Sequence, residues 1–365
     1  MRFQLAEATH EKQLRDLFRQ SRMPGWIRLA FGREPDFFHA AGVQGKLNQV
    51  LIAIAEERVV GMGCRSVKPV WVDGRRMDIG YLSGLRLIPE VRGSGAMARA
   101  YALCKMLHAQ RPVPVYLTTI IEKNTDAVEL LTSGRAGLPR YLDRGRFFTY
   151  AINLNRRRRP RLTGGLEIRR GGDMALERVT AFLNECGSRR QFFPAIDATD
   201  FGTDYLRGLR PADFRVAVRD KDEIVGVAAV WDQSAFKQNI VEGYAAPVRL
   251  LRPVINGALR LAGFRPMPAP GESLNMLHLA FCCVRNDDPA ILTALMEQIY
   301  ADHQAGGHHF LVAGFHERDP LRAAMIHFLT FRYTSRLYLV CWDDGLEFVN
   351  GLDPARIPHL EVATL

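Results

Sequence analysis

The stretch best suited to chemistry in this chain is Tyr81 to Ala98, Y-L-S-G-L-R-L-I-P-E-V-R-G-S-G-A-M-A. An apolar strand stops at Pro89, and a loop of Arg92, Gly93, Ser94 and Gly95 leads straight into a helix that opens with Ala96 and Met97. The first turn of a helix has backbone N–H groups with no partner inside the helix. Glycines let such a backbone approach a ligand closely. The helix dipole and the Arg92 guanidinium add positive potential. Together these features form a cradle for a pyrophosphate. The loop is not a Walker motif, because no Gly-Lys-Ser/Thr follows. Nor is it a Rossmann fingerprint, because the third glycine is missing and the strand ends a β-meander.

Other constellations carry less. The ten histidines show no His-Glu-x-x-His spacing, and no Gly-x-Ser-x-Gly elbow is present. His308-His309 follows Gly306-Gly307 and reads as a loop. His316-Glu317-Arg318-Asp319 reads either as the lining of a second cleft or as a helix-capping loop. The six cysteines lack C-x-x-C spacing, which predicts reduced, buried thiols and no metal centre. The net charge of +10 is partly local, in the run Arg156 to Arg159 with Arg161. Without interleaved aromatics that run reads as a solvated linker, and no specific nucleic-acid partner is expected.

The elements that must position the loop follow from periodicity. Phe3 to Ala6 reads as a strand, followed by a helix carrying Leu14, Leu17 and Phe18. Val50–Ala55, Val59–Val72 and Met77–Ile88 form a meander with a hairpin at Asp73-Gly74. A helix over about 96–109, a buried strand over 113–121, a short helix over 124–133 and a closing strand over 146–153 complete a first unit. The Arg-, Pro- and Gly-rich segment 155–165 separates it from a second unit that repeats the order, ending with a strand over 334–342. The reading is α+β, with domains at 1–154 and 166–345 and an insert at about 233–273. The basic, apolar part of the insert, 248–262, is an amphipathic helix. It is expected to pack on its own domain, to cover a cleft, or to rest on a membrane surface. No apolar run is long enough to span a membrane, and the N-terminus has no secretory core, so a cytoplasmic location is expected.

The segment L-I-P-E-V-R-G-S-G-A-M-A resembles the acyl-CoA loop of the GNAT superfamily of N-acetyltransferases, with the pattern R/Q-x-x-G-x-G/A after a strand. Arg92 takes the first position and Gly95 the fourth, while Met97 stands where a small residue is usual. Asn124-Thr-Asp-Ala127-Val-Glu-Leu130 is similar to the family's N-x-x-A-x-x-L segment, and Leu131 stands where the family has a tyrosine. The resemblance covers most of 1–153. Over 166–342 it is one of element order only, and there the loop Arg285 to Pro289 is acidic and lacks glycine. The two-copy layout resembles mycothiol-synthase-like tandem proteins. The resemblance implies two tandem GNAT folds, each a mixed, mostly antiparallel sheet flanked by helices, and a degenerate second copy.

What the resemblance implies chemically is transfer of an acyl group, foremost acetyl, from acetyl-CoA or another acyl-CoA to an amine. Arg92 to Met97 and Asn124 would hold the CoA, and the strand end at Leu85 to Leu87 would offer backbone groups to the thioester. Glu122, Tyr81 and Ser83 are candidate bases, and Tyr141 and Ser133 candidate acids. The acceptor is a small molecule or peptide amine. Two other readings stand beside this one: transfer from an aminoacyl-tRNA or acyl carrier protein, and a non-catalytic CoA-binding sensor or scaffold.

Overall fold

The computed structural model describes the chain except residues 21, 24, 94, 156–164, 221 and 305 and the side chains of 22 and 23. Ser94 and the basic run from Arg156 therefore lie outside the described residues. The first half holds strands β1 (Arg2–Leu5), β2 (Arg22–Met23), β3 (Ile27–Gly32), β4 (Leu47–Ala55), β5 (Arg58–Val72), β6 (Arg75–Leu87), β7 (Tyr116–Ile121) and β8 (Arg140–Asn153). Its helices are α1 (Glu11–Arg19), α2 (Phe37–Gly42), α3 (Ala96–Gln110) and α4 (Thr125–Leu131). The second half holds β9 (Glu167–Arg170), β10 (Phe193–Pro194), β11 (Phe214–Arg219), β12 (Glu223–Asp232), β13 (Gln238–Tyr244), β14 (Met276–Val284), β15 (Phe310–His316) and β16 (Thr330–Cys341). Its helices are α5 (Leu176–Gly187), α6 (Ala246–Leu261), α7 (Pro289–His303) and α8 (Leu346–Gly351).

One sheet runs through both halves in the order β1-β4-β5-β6-β7-β16-β8-β15-β14-β12-β11-β9, with β10 added at β5. Among the described strands, β6 with β7 and β14 with β15 pair in parallel and the other pairs are antiparallel. The order is symmetric about the β16–β8 pair. Each half is closed by the other half's last strand: β16 lies on β7, and β8 lies on β15. This exchange explains where the closing strand begins. β8 starts at Arg140, ahead of the expected 146, because Tyr141 and Leu142 pair with Val340 and Leu339 of β16. That partner is about two hundred residues away and leaves no local periodicity.

The hairpin at Asp73-Gly74 has φ of 49° and 78°, the two positive values that match the twist of the flanking strands. Pro320–His327 forms a 3-10 run, with the Asp319 carboxylate accepting from Leu321 N (3.0 Å). The insert supplies β13, which pairs with β3 of the first half in a second, three-stranded sheet. Helix α6 of the insert keeps Leu250, Val254 and Leu261 exposed and buries Asn256. Among the described residues no helix is long and apolar enough to cross a membrane. All six cysteines are free and buried.

The exchange makes the two halves mutually dependent. Residues 1–155 and 165–365 expressed separately are expected to aggregate, since each lacks the strand that covers β7 or β15. Expressed together, the two pieces are expected to co-purify as a folded 1:1 pair. Circular dichroism and size-exclusion chromatography check this, and a folded, monomeric 1–155 would contradict it.

Candidate functional site

The site begins as a gap in the sheet. β6 and β7 pair only at Gly80 with Tyr116 and Tyr81 with Leu117, and then diverge. From Leu82 onward the β7-facing edge of β6 meets no strand, so its backbone groups face the gap. The crossing point is pinned by Tyr116, which is fully buried. Its ring lies where a side chain at Gly80 would go, 1.9 Å from the Cβ position. The Tyr116 hydroxyl bonds Arg65 Nε (2.8 Å) and His108 Nδ1 (2.8 Å). Arg65, also fully buried, donates further to Gln49 Oε1 (2.6 Å) and the Arg111 carbonyl (2.6 Å). Each nitrogen of that guanidinium thereby makes a hydrogen bond, as a buried charge requires.

Beyond the crossing, β6 carries a bulge. Cys64 opposes Ser83 and Met62 opposes Arg86, so β6 has one residue more than β5. Gly84 takes the positive φ of 64° there. The extra residue changes which face later side chains occupy. Ser83 bonds Gln44, just beyond α2 (2.8 Å), and Arg86 stacks on Phe18 of α1. Without the bulge, residues three apart could not share a face.

A cavity of about 310 Å³ opens along this gap. Met62, Cys64, Tyr81 and Ser83 line it from the α1 side, and Met97, Tyr101, Cys104 and Leu131 from the α3 side. It therefore passes through the sheet. The glycine loop immediately precedes cavity-lining Met97 at the start of α3, while Arg92, Gly93, Gly95 and Ala96 themselves lie outside the lining. Gly93 and Gly95 have φ of 80° and 73°, and nothing lies within 4 Å of where a Cβ would stand on either. Gly95 is the N-cap of the 15-residue α3 and offers no side chain to its first N–H groups. Open space, exposed glycine backbone and a helix start coincide, which is the shape an anionic phosphate needs. Arg92 and Ala96 flank the loop. Met97 turns into the apolar cluster beneath α3 and lines the cavity, so its bulk is spent on the inner side of the helix.

The structure gathers some of the sequence candidates and disperses others. Tyr81, Ser83, Leu85, Leu87, Asn124 and Tyr141 all line the cavity. Asn124 also caps α4, accepting from Ala127 N (3.4 Å). Glu122 does not line it: at the end of β7 it is held by Arg146 (3.1 Å) and Arg336 (3.5 Å). Ser133 is exposed and donates to the Leu130 carbonyl (2.7 Å). Sequence reasoning missed Tyr101, whose hydroxyl is hydrogen-bonded to that of Tyr141. The signal was present, since residues 97, 101 and 104 share one face of α3. Leu131 brings no hydroxyl, and the cavity takes its hydroxyl pair from α3 and β8.

Among the described residues no carboxylate or imidazole lines the cavity. Burial shifts its phenols and thiols, Tyr81, Tyr101, Tyr141, Cys64 and Cys104, toward their neutral forms. Tyr101 is pushed up to about 12, and burial with the neighbouring Tyr101 holds Tyr141 well above the usual phenol range. Burial raises Tyr81 as well, against a hydrogen bond from Thr119. Cys64 and Cys104 rise to about 12 and about 11 for the same reason. Among the described residues no cluster of three His, Cys, Asp or Glu could hold a metal ion.

The second half repeats the gap and fills it. β14 and β15 pair at Met276, Leu277 and His278 and then diverge, and β14 has its own bulge with Phe281 at φ 49°. There the chain segment Leu360–Val362 occupies the gap. Glu361 Oε2 accepts from Phe281 N (2.7 Å), and a Cβ on Gly314 would meet Val362. Only about 10 Å³ remains. His316 is buried on the Arg144 carbonyl (2.7 Å), and Asp319 pairs with buried Arg190. These residues hold structure and line no open cleft.

Scans against family models and characterised proteins return no match. Solved structures do match. A GCN5-related N-acetyltransferase from Sphaerobacter thermophilus aligns with 14% identity and a TM-score of 0.51, over 87% of this chain and 83% of that one. N-myristoyltransferase from Saccharomyces cerevisiae, with bound myristoyl-CoA, aligns with 11% identity and a TM-score of 0.58, over 93% and 82%. At these identities the likeness establishes architecture: the chain has the fold of the GCN5-related N-acetyltransferases, in two copies sharing one sheet.

Proposed function

We propose that the chain is an N-acyltransferase that moves an acyl group from acyl-CoA to an amine, working in the first copy. The observation that carries this reading is the cavity through the β6–β7 gap, with the glycine loop beside it at the start of α3. Gly93 to Met97 would hold the pyrophosphate on backbone N–H groups, with Arg92 supplying charge. Asn124, Ala127 and Leu131 would flank the pantetheine arm. Bound acyl-CoA supplies an activated thioester, whose carbon–sulfur bond is exchanged for a carbon–nitrogen bond.

The residues of the chain then have three tasks. The first is to hold the thioester oxygen. In the second copy the Phe281 N–H at the bulge binds a carboxylate oxygen of the chain itself. The matching position here is Gly84, on the cavity wall, and its N–H would take that oxygen. The second task is to receive the leaving sulfur. Tyr141, steadied by Tyr101, stays protonated at neutral pH and can donate a hydrogen bond to it. A thiol ionises near ~8.5, so the sulfur tolerates leaving as an anion with that help. The third is to manage the amine proton. With no base on the wall, the amine must arrive neutral or give its proton to water. The balance closes with one proton lost from nitrogen and one gained by sulfur.

Calorimetric titration with acetyl-CoA and longer acyl-CoAs tests the donor site. Micromolar binding is expected, weakened about tenfold by Arg92→Ala and abolished by Gly95→Glu. At φ 73° the new residue strains the backbone by about 1–2 kcal/mol, but no neighbour meets its side chain, so the Gly95→Glu protein should still fold, as circular dichroism would check. Parent-like affinity in Gly95→Glu would refute the cradle.

Tyr141→Phe is expected to lower kcat by about 100-fold, measured by thiol release, while Glu122→Gln leaves it near the parent's. The reverse order would move the chemistry to the β7 end.

Cavity phenols and thiols stay neutral below about pH 9, their pKa values being raised from ordinary values near 10 and 8.5. They contribute no limb to the rate profile between pH 6 and 9. The rate should rise with pH along the ionisation of the acceptor amine and shift when an amine of different pKa is used. A rising limb that stays fixed across amines would reveal an enzymic base.

A further inference from the structure

The α1 side of the cavity differs in chemistry from the side of the glycine loop. Arg86 lines the cavity and stacks on the Phe18 ring at 4.8 Å from its centroid. Arg33, one residue past β3, stacks on the same ring at 4.4 Å. Two guanidiniums thus share one phenyl ring, and of these residues Arg86 lines the cavity. Neither has a counterion among the described residues. Arg33 feels Arg86 and the Cys64 thiol, and Arg86 feels the same thiol. Their bonds go to backbone carbonyls, Arg33 Nη1 to Gly32 (2.7 Å) and Arg86 Nη1 to Leu85 (2.9 Å). Arg86 Nε is buried with no partner. The neighbouring Glu34 turns its carboxylate to Arg15.

The Cys64 thiol does not supply the missing negative charge, because burial holds it protonated, up to about 12. The pair pays for its isolation: burial and Arg86 bring Arg33 down to about 9. Lys237, which precedes β13, adds a third cation and is itself pulled down by burial and by Arg33. Its Nζ donates to the Leu365 main-chain oxygen (2.8 Å). Like charges brought together without a carboxylate are destabilising in the empty protein. Elsewhere in this chain buried arginines are answered by carboxylates, as Arg190 by Asp319 and Asp287 or Arg215 by Asp302, or by neutral acceptors at every guanidinium nitrogen, as Arg65; Arg86, with its Nε unpartnered, has neither.

Resting on the acyltransferase reading, we infer that Arg33 and Arg86 bind an anionic group of the acceptor, so that the acceptor is an amine that also carries a carboxylate. The geometry supports this division of faces. The donor loop and α3 occupy one face of the sheet, which leaves the α1 face, where Arg86 lines the cavity, for the amine. Planar guanidiniums match a carboxylate with paired hydrogen bonds. A free amino acid, or a small compound with the same two groups, meets both needs: its carboxylate on the arginine pair and its nitrogen toward the gap.

The test uses the full-length protein and ligand-observed saturation-transfer NMR, with the twenty amino acids and their carboxamides as probes. The acids and amides differ only in the charge that the arginines would read. One or more acids should show transfer, with affinity at least about tenfold above the matching amide. Arg33→Gln and Arg86→Gln should each shrink that ratio toward one, and Arg86→Lys should keep part of it. Equal binding of acids and amides, no binding by any acid, or displacement by inorganic phosphate but not by the acids would overturn the inference. The acid–amide comparison on the parent protein decides the matter even where a variant fails to fold. Acyl-CoA titration, run separately, distinguishes the two failures: a protein that binds acids but no acyl-CoA loses the acyltransferase reading and keeps the anion site.

Discussion

Two residue pairs join β6 to β7, and the rest of the site depends on how that short crossing is held. Parallel strands that separate leave unpaired backbone in the middle of a sheet, which is costly unless something fixes the opening. Here the fixing element is Tyr116. Its ring fills the space above Gly80, and its hydroxyl joins Arg65 to His108. His108 in turn meets Asp344 at 2.9 Å, and its ring lies 4.9 Å from that of Trp342, both from the far end of the chain. The crossing in the first half is therefore clamped by residues of the second.

The strand exchange extends that dependence. β16 covers β7, and β8 covers β15, so neither opening can form without the other half. The same symmetry gives two equivalent openings with different fates. In the second, the chain's own Leu360–Val362 fills the gap, and Glu361 binds the bulge N–H. In the first, the gap stays open and leads to a glycine loop. One opening became structure, and the other kept the space and the exposed backbone that a ligand needs. The filled opening also serves as an internal guide, because it shows a carboxylate oxygen seated where the bulge presents its N–H.

The electrostatics divide the open cavity into regions. The loop end offers backbone N–H groups at a helix start. The middle offers hydroxyls and thiols held neutral by burial. The α1 end offers two guanidiniums on one phenyl ring without a carboxylate. On the reading proposed above, a ligand that bridges these regions carries negative charge at both ends and a reactive, uncharged centre. That arrangement discriminates by the spacing of charge along the ligand more than by any single contact.

Much of this was legible in the chain alone. The glycine loop, the hairpin at Asp73-Gly74, the duplicated order of elements and the cavity-lining Tyr81 and Tyr141 follow from local patterns, since turns, caps and periodicity act over a few residues. What the sequence could not determine is contact between distant segments. Glu122 sits at a strand end where a base would serve, but Arg336, from the far half, draws it into an ion pair outside the cavity. Tyr101 looks like one aromatic on a helix until β8 brings Tyr141 to it. Arg33 and Arg86 lie more than fifty residues apart and meet only because β3 pairs with the insert strand β13 while a bulge turns β6 toward Phe18. Local sequence decided which elements exist and where a phosphate could rest. Tertiary packing decided which charges are answered and which are left for a ligand, because burial and pairing are properties of the assembled sheet.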